Sequence, residues 1–193
     1  PATQALLDQF GLPDELASSN YEIITRENST QDAIINGFEW SWRQSFRAFA
    51  GLPAWARSLG ASINGTHLRL TGPGVNEFAG YSTRVINWGL AYTRGNFALK
   101  ANATYTNGPR NAVVAANATT PAGTYSGLAP RMMVGGSIEY RLTKRLTVHA
   151  SGQNLTNVLY RNMTFSPGAP EYTRPTQYRD NGIAYVLGVK GEF

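Results

Sequence analysis

The sequence predicts an all-β chain, an antiparallel transmembrane β-barrel segment with long extracellular loops. Three observations carry this expectation. The first is strict alternation at the end of the chain, "NGIAYVLGVKGEF", where Ile183, Tyr185, Leu187, Val189, Gly191 and Phe193 share one phase and Ala184, Val186, Gly188, Lys190 and Glu192 the other. The second is composition. Charged residues are 15% of 193, well below the roughly 25% of a soluble domain, while 20 Gly and 10 Tyr, with many Asn and Thr, suit strands and turns. The third is the spacing of the connections. Segments 94–96 and 143–144 are tight, whereas 107–130 and 157–181 are long, polar and rich in Pro and Gly. Outer-membrane barrels have short periplasmic turns and long external loops.

In order along the chain, "QALLDQFGLPDELASS" (4–19) is the one helix-like stretch, ended by Gly11 and Pro13. "YEIITREN" (21–28) and "AIINGFEWSWRQSF" (33–46) flank a polar turn and read as a hairpin. Strand patterns follow at 57–70, 82–93, 96–106, 131–142 and 145–156, and again at the terminal alternation. With Phe193 at the periplasmic end, every short turn falls on the periplasmic side. This divides the chain into an extracellular loop with a short hairpin strand, 1–32, and seven spanning strands, 33–193.

The two phases of these strands differ in chemistry. The bulkier phase holds Phe38, Trp40, Trp42 and Phe46; Ile86, Trp88, Leu90 and Tyr92; Phe97, Leu99 and Tyr105; and Tyr140. Aromatics recur near strand ends, as a membrane girdle requires, so Trp40, Trp42, Trp88, Tyr92 and Tyr140 are expected to face lipid. The opposite phase carries Glu39, Arg43, Lys100, Glu139, Arg141 and His149, the candidates for a polar lumen. A soluble sandwich would show the same alternation, and the aromatic strand ends favour the membrane.

Several chemistries are disfavoured. Mean hydropathy is −0.29 and no run approaches the ~18 apolar residues of a membrane helix. The absence of Cys removes disulfides, Cys-ligated zinc and thiol catalysis. Net charge is +5, yet Arg and Lys are spread singly, without the basic stripe that phosphate backbones favour, so no nucleic-acid partner is expected. His67 and His149 lack metal-ligand spacing, and Ser151 beside His149 lacks a nucleophile elbow. Glu39 and Glu139 lie on separate strands and are expected to balance Arg43, Lys100 and Arg141. No catalytic residue, metal or cofactor is expected. In the loop 166–181, Tyr172, Arg174, Tyr178 and Arg179 offer aromatics and guanidiniums to an acidic or sugar-like ligand.

The runs "NGFEWSWRQSF" and "VINWGLAYTRGNFALKANATYTNGPR", then "YRLTKRLTVHASGQNLTNVLYRN" and the closing "YVLGVKGEF", resemble the C-terminal third of TonB-dependent outer-membrane receptors. The most specific pieces are "NGFE" (36–39), "QNLTN" (153–157) followed by Tyr160, and the terminal Phe193. The resemblance implies about seven C-terminal strands of a 22-stranded barrel, in the cell outer membrane, importing a large scarce solute such as a siderophore, cobalamin or oligosaccharide. It implies as partners the plug and N-terminal strands of the same receptor, TonB through that N-terminal part, outer-membrane lipid, and the barrel-assembly machinery, for which Phe193 resembles the terminal recognition signal. The family often has an acid shortly after the Pro-Arg opening the strand at 130–142, where this chain has Gly135 and Gly136. Two other readings stay open on the residues alone, a complete eight-stranded outer-membrane barrel and a soluble sugar-binding sandwich.

Overall fold

The computed structural model describes residues 7, 8, 10, 11, 13 and 31–191. The chain divides into two compact units, 1–30 and 31–193. In the first, Leu7, Asp8 and Phe10 have helical backbone, Leu7 is fully buried, and the Gly11 N–H donates to the Asp8 carbonyl at 3.3 Å. The rest of the helix-like stretch, the expected strand at 21–28 and the terminal Phe193 lie outside the described residues.

The second unit is all-β and antiparallel, with short 3-10 turns. Its strands are β1 (Ile34–Ser45), β2 (Leu59–Thr71), β3 (Arg84–Arg94), β4 (Phe97–Thr106), β5 (Arg110–Val113), β6 (Tyr125–Leu128), β7 (Arg131–Arg141), β8 (Leu146–Gln153), β9 (Tyr160–Phe165), β10 (Pro175–Arg179) and β11 (Ala184–Gly191). Seven of them form one sheet in the order β1-β2-β3-β4-β7-β8-β11, every neighbouring pair antiparallel. It is a meander, so each strand pairs with its neighbour through local connections, apart from two excursions after β4 and β8.

Those excursions differ from expectation. Segments 107–130 and 157–181, read from sequence as loops, contain β5, β6, β9 and β10, which form a second sheet in the order β10-β9-β6-β5. The strands are four to six residues long, and the central pairing, β6 with β9, joins the two distant segments. Tyr125 of β6 opposes Phe165 of β9, for example. No alternation is long enough for a period-two signal to rise above the surrounding Pro and Gly.

The connections sort by end. At one end, the turn end, lie the segment 46–58, the two-residue turn 95–96 and the turn 142–145; at the other, the loop end, lie 72–83 and the two excursions. The tightest turn is set by glycine chemistry. Arg94 pairs with Phe97, and Gly95 between them takes φ 58 while Asn96 stays at negative φ, the pattern of a II′ hairpin, which matches the twist of the strands it joins.

What the sheet lacks is a conventional core. Among the described residues the buried hydrophobics are Leu7, Ala56 and Ala129, and every residue of β1 except Gln44 is exposed. Packing instead runs laterally across strands. Trp40 directly opposes Gly65, and its ring fills the space above that glycine so closely that a Cβ there would lie 2.7 Å from Cζ2. An aromatic laid over a cross-strand glycine covers backbone that would otherwise be bare.

Candidate functional site

Directly opposed residues share a face, so the register assembles two continuous surfaces on the seven-stranded sheet. One joins Phe38, Trp40 and Trp42 to Ile63; then Ile86, Trp88, Leu90 and Tyr92; Phe97, Leu99, Ala101, Ala103 and Tyr105; Val134, Ile138 and Tyr140; Val148 and Ala150; and Tyr185, Leu187 and Val189. Its ionisable side chains other than tyrosine are Arg69, Arg84 and Arg94 near strand ends and His67, which stacks against Phe38 at 5.7 Å. Leu155 packs over Gly152 on this face, and much of the rest is open. Leu187 is 82% exposed and Leu90 56%. The five aromatics expected to face lipid, Trp40, Trp42, Trp88, Tyr92 and Tyr140, all lie on it.

The other surface is polar. Glu39, Arg43, Lys100, Glu139, Arg141 and His149 all lie on it, spread over β1, β4, β7 and β8. Their partners differ from the expected charge balance. Glu139 pairs with Lys190 on β11, two strands away, at 3.3 Å. Glu39 accepts from the Thr66 hydroxyl at 3.5 Å. Arg43 and Lys100 line one shallow depression of about 410 Å³ with Ser62 and Gly89 between them, and among the described residues neither has a carboxylate partner. The His149 ring lies over Gly188, where a Cβ would come 2.5 Å from Cε1, and its Nδ1 is buried without an acceptor or donor.

The strongest bonds on this surface belong to neutral residues. The Asn87 amide donates to Asn64 Oδ1 at 2.9 Å, and the Thr104 hydroxyl donates to Asn87 Oδ1 at 2.8 Å, a ladder crossing β2, β3 and β4. Its members are scattered in sequence, and only the register brings them together.

At the loop end, the structure separates the four residues expected to meet a ligand. Tyr172 is 83% exposed in a 3-10 turn, and Tyr178 and Arg179 sit on β10, opposite Arg161 and Tyr160 of β9. Arg174 bonds Glu171 at 2.8 Å and lies 5.5 Å from the Phe165 ring centre. It lines a cleft of about 470 Å³ whose other chemistry is Arg110, Tyr125, Phe165 and Tyr81, none of them singled out from sequence. Tyr125 stacks on Phe165 at 4.9 Å and 18°, and the Arg110 guanidinium lies 4.1 Å over Tyr125. Nearby in sequence, Arg131 lies 4.3 Å over Tyr160, whose hydroxyl donates to Met133 Sδ at 3.5 Å.

No protein-family model, curated protein or solved structure matches the chain.

Proposed function

We propose that this chain is the C-terminal barrel portion of a TonB-dependent receptor in the cell outer membrane, part of a transporter for a large scarce solute. The observation that carries the membrane assignment is the largely open apolar face, whose formal charges lie only near strand ends, backed by a polar face on the same strands. Bilayer-spanning strands alternate in this way, with aromatics near both interfaces. Tyr92, Phe97 and Tyr140 form one aromatic row near the turn end, and Phe38 and Tyr105 lie near the loop end. Eight residues separate Phe97 from Tyr105, about 27 Å along the strand. At a tilt of about 40° that becomes roughly 21 Å of depth, close to the ~25 Å apolar band of outer-membrane barrels.

The receptor family rests on the resemblance of "NGFE" (36–39), "QNLTN" (153–157) and Tyr160. On this reading Glu39, Arg43, Lys100, Glu139, Arg141 and His149 line the lumen, and the second sheet extends the wall outside the membrane. Partners are the plug and remaining strands of the receptor, TonB, the barrel-assembly machinery and lipid. Among the described residues the outer edges of β1 and β11 have no strand partner in the sheet, and open edges are not tolerated in hydrocarbon. The rest of the barrel therefore pairs with both.

The test is to refold the chain with and without its upstream barrel sequence in vesicles of phospholipid brominated on the acyl chains. Trp88 and Trp42 fluorescence should be quenched, and a heat-modifiable gel band should form only when the upstream part is present. Cooperative folding in plain buffer with unquenched tryptophans would refute the membrane assignment, and a heat-modifiable monomer from residues 1–193 alone would replace the receptor with a small complete barrel.

A further inference from the structure

Arg110 opens β5, where Pro109, Gly127 and the β6 strand hold its backbone. Its N–H donates to the Tyr81 carbonyl at 3.3 Å, and Gly127 lies directly opposite in register. Gly127 is buried, and a Cβ on it would come 2.8 Å from the Pro109 carbonyl oxygen, so only glycine allows this approach. The guanidinium carbon then lies 4.1 Å over the centre of the Tyr125 ring, the first member of a column that continues through Phe165 to Arg174.

The two guanidiniums at the ends of this column are not equivalent. Arg174 is matched by the Glu171 carboxylate at 2.8 Å. Among the described residues Arg110 has no carboxylate partner and no acceptor for its side-chain N–H groups, and its Nε is buried. A buried donor without an acceptor is unusual and costly. Asn107, on the cleft wall, cannot relieve it. Its amide donates to Thr83 Oγ1 and its carbonyl oxygen accepts from the Arg84 N–H at 3.0 Å. The cleft is therefore a concave space of ligand size, walled by aromatic rings, with one uncompensated cation held over a ring.

We propose that this cleft binds a small solute through an oxyanion, a carboxylate or phosphate received by Arg110. A guanidinium held over a ring offers a planar fork of donors whose geometry matches the two oxygens of such a group. A cationic ligand would meet a like charge, and a neutral one would leave the charge unmatched. The inference names a ligand chemistry for the receptor reading and rests on it only for the side of the membrane the cleft faces.

The probe is inorganic phosphate, titrated by calorimetry into the whole detergent-extracted protein, with no transport required. Binding in the millimolar range is expected, weakened at least tenfold by Arg110→Gln and partly restored by Arg110→Lys. Where Arg110→Gln fails to fold, the unmodified protein gives the same answer. Phosphate should slow phenylglyoxal modification of Arg110, read by peptide mass spectrometry, more than that of Arg179. Repeating the titration with lipopolysaccharide distinguishes the source of the oxyanion, since competition assigns it to lipid phosphate and unchanged binding to a dissolved solute. No phosphate binding up to tens of millimolar, equal affinity in Arg110→Gln, or no selective protection would overturn the site. Transport can fail while these results stand, and the reverse also holds.

Discussion

If the apolar face meets lipid, the cost of placing a charge on it must depend on depth. Ala101 lies on that face, four residues from Phe97 and four from Tyr105 on the same strand. That places it about 14 Å along the strand from each aromatic row, at mid-depth. An arginine at the bilayer midplane of a barrel wall costs about 2–4 kcal/mol, falling to ~0–1 kcal/mol near the interface. Ala101→Arg should therefore lower the folding constant by a factor of about 30 to 700, at ~1.4 kcal/mol per tenfold. Leu146 is on the same face but beyond the aromatic row, because Val148 is the residue opposite Tyr140. Leu146→Arg should cost no more than ~1 kcal/mol. Asn102→Arg, one residue from Ala101 on the polar face, should stay within ~0.5 kcal/mol. The assay is urea unfolding of the whole barrel refolded in phospholipid vesicles, followed by tryptophan fluorescence. Equal costs at Ala101 and Leu146, or a cost at Ala101 below ~0.5 kcal/mol, would refute lipid as the partner of this face. A protein core would penalise arginine without regard to depth, and water would not penalise it at all.

Two further outcomes test the packing. Gly65→Val drives side-chain atoms into the Trp40 ring, which already lies within 2.7 Å of an ideal Cβ, and should cost about 1–3 kcal/mol by overpacking; Gly60→Ala, whose nearest neighbour would be the Gln44 carbonyl oxygen at 3.6 Å, is the tolerated control in the same unfolding assay. The Glu139–Lys190 pair spans β8 but leaves the two side chains 43% and 60% exposed, so a double-mutant cycle of Glu139→Gln and Lys190→Met should give a coupling below ~1 kcal/mol that shrinks with added salt.

How much of this was legible in the sequence follows from the range of each interaction. The seven long strands are each eight to thirteen residues, long enough for period two to show, and the expected segments overlap all seven observed strands, with ends moved by a few residues. Face assignment followed automatically, since alternation alone sorts Trp88 from Asn87 and Leu99 from Lys100. Partner choice did not follow. Glu39 and Glu139 were expected to balance Arg43, Lys100 and Arg141, and the register instead brings Lys190 to Glu139 from 51 residues away. The Asn64–Asn87–Thr104 ladder depends on the same register. Arg110 was read only as one more dispersed cation, because its stacking on Tyr125 needs a strand pairing hidden in a Pro- and Gly-rich segment. One signal was available and unused. Glu171 stands three residues before Arg174, and that spacing in a tight turn is enough to make an ion pair, so Arg174 was the weaker ligand candidate from the outset.

The polarity of the sheet constrains what must complete it. β1 runs from the loop end to the turn end, as its pairing of Ile34 with Thr71 and Ser45 with Gly60 requires. β11 runs the same way, from Ala184 opposite Gln153 to Gly191 opposite Leu146. The two edge strands of the seven are thus parallel to one another, so joining them directly would place a parallel pair in an otherwise antiparallel sheet. A rotationally symmetric ring of copies would repeat that parallel junction at every interface. Antiparallel closure needs an odd number of additional strands, the first pairing with β11 and the last with β1, each running from turn end to loop end. A single strand meets the parity rule but closes a barrel of eight, about the smallest count for outer-membrane barrels. The 22-stranded barrel implied by the receptor resemblance calls for about fifteen more, which is odd as well. If the sheet closes into an antiparallel barrel, parity is met by the small barrel and by the large receptor alike, which refolding with and without the upstream sequence would separate, whereas a ring of copies would carry a parallel pair at every junction.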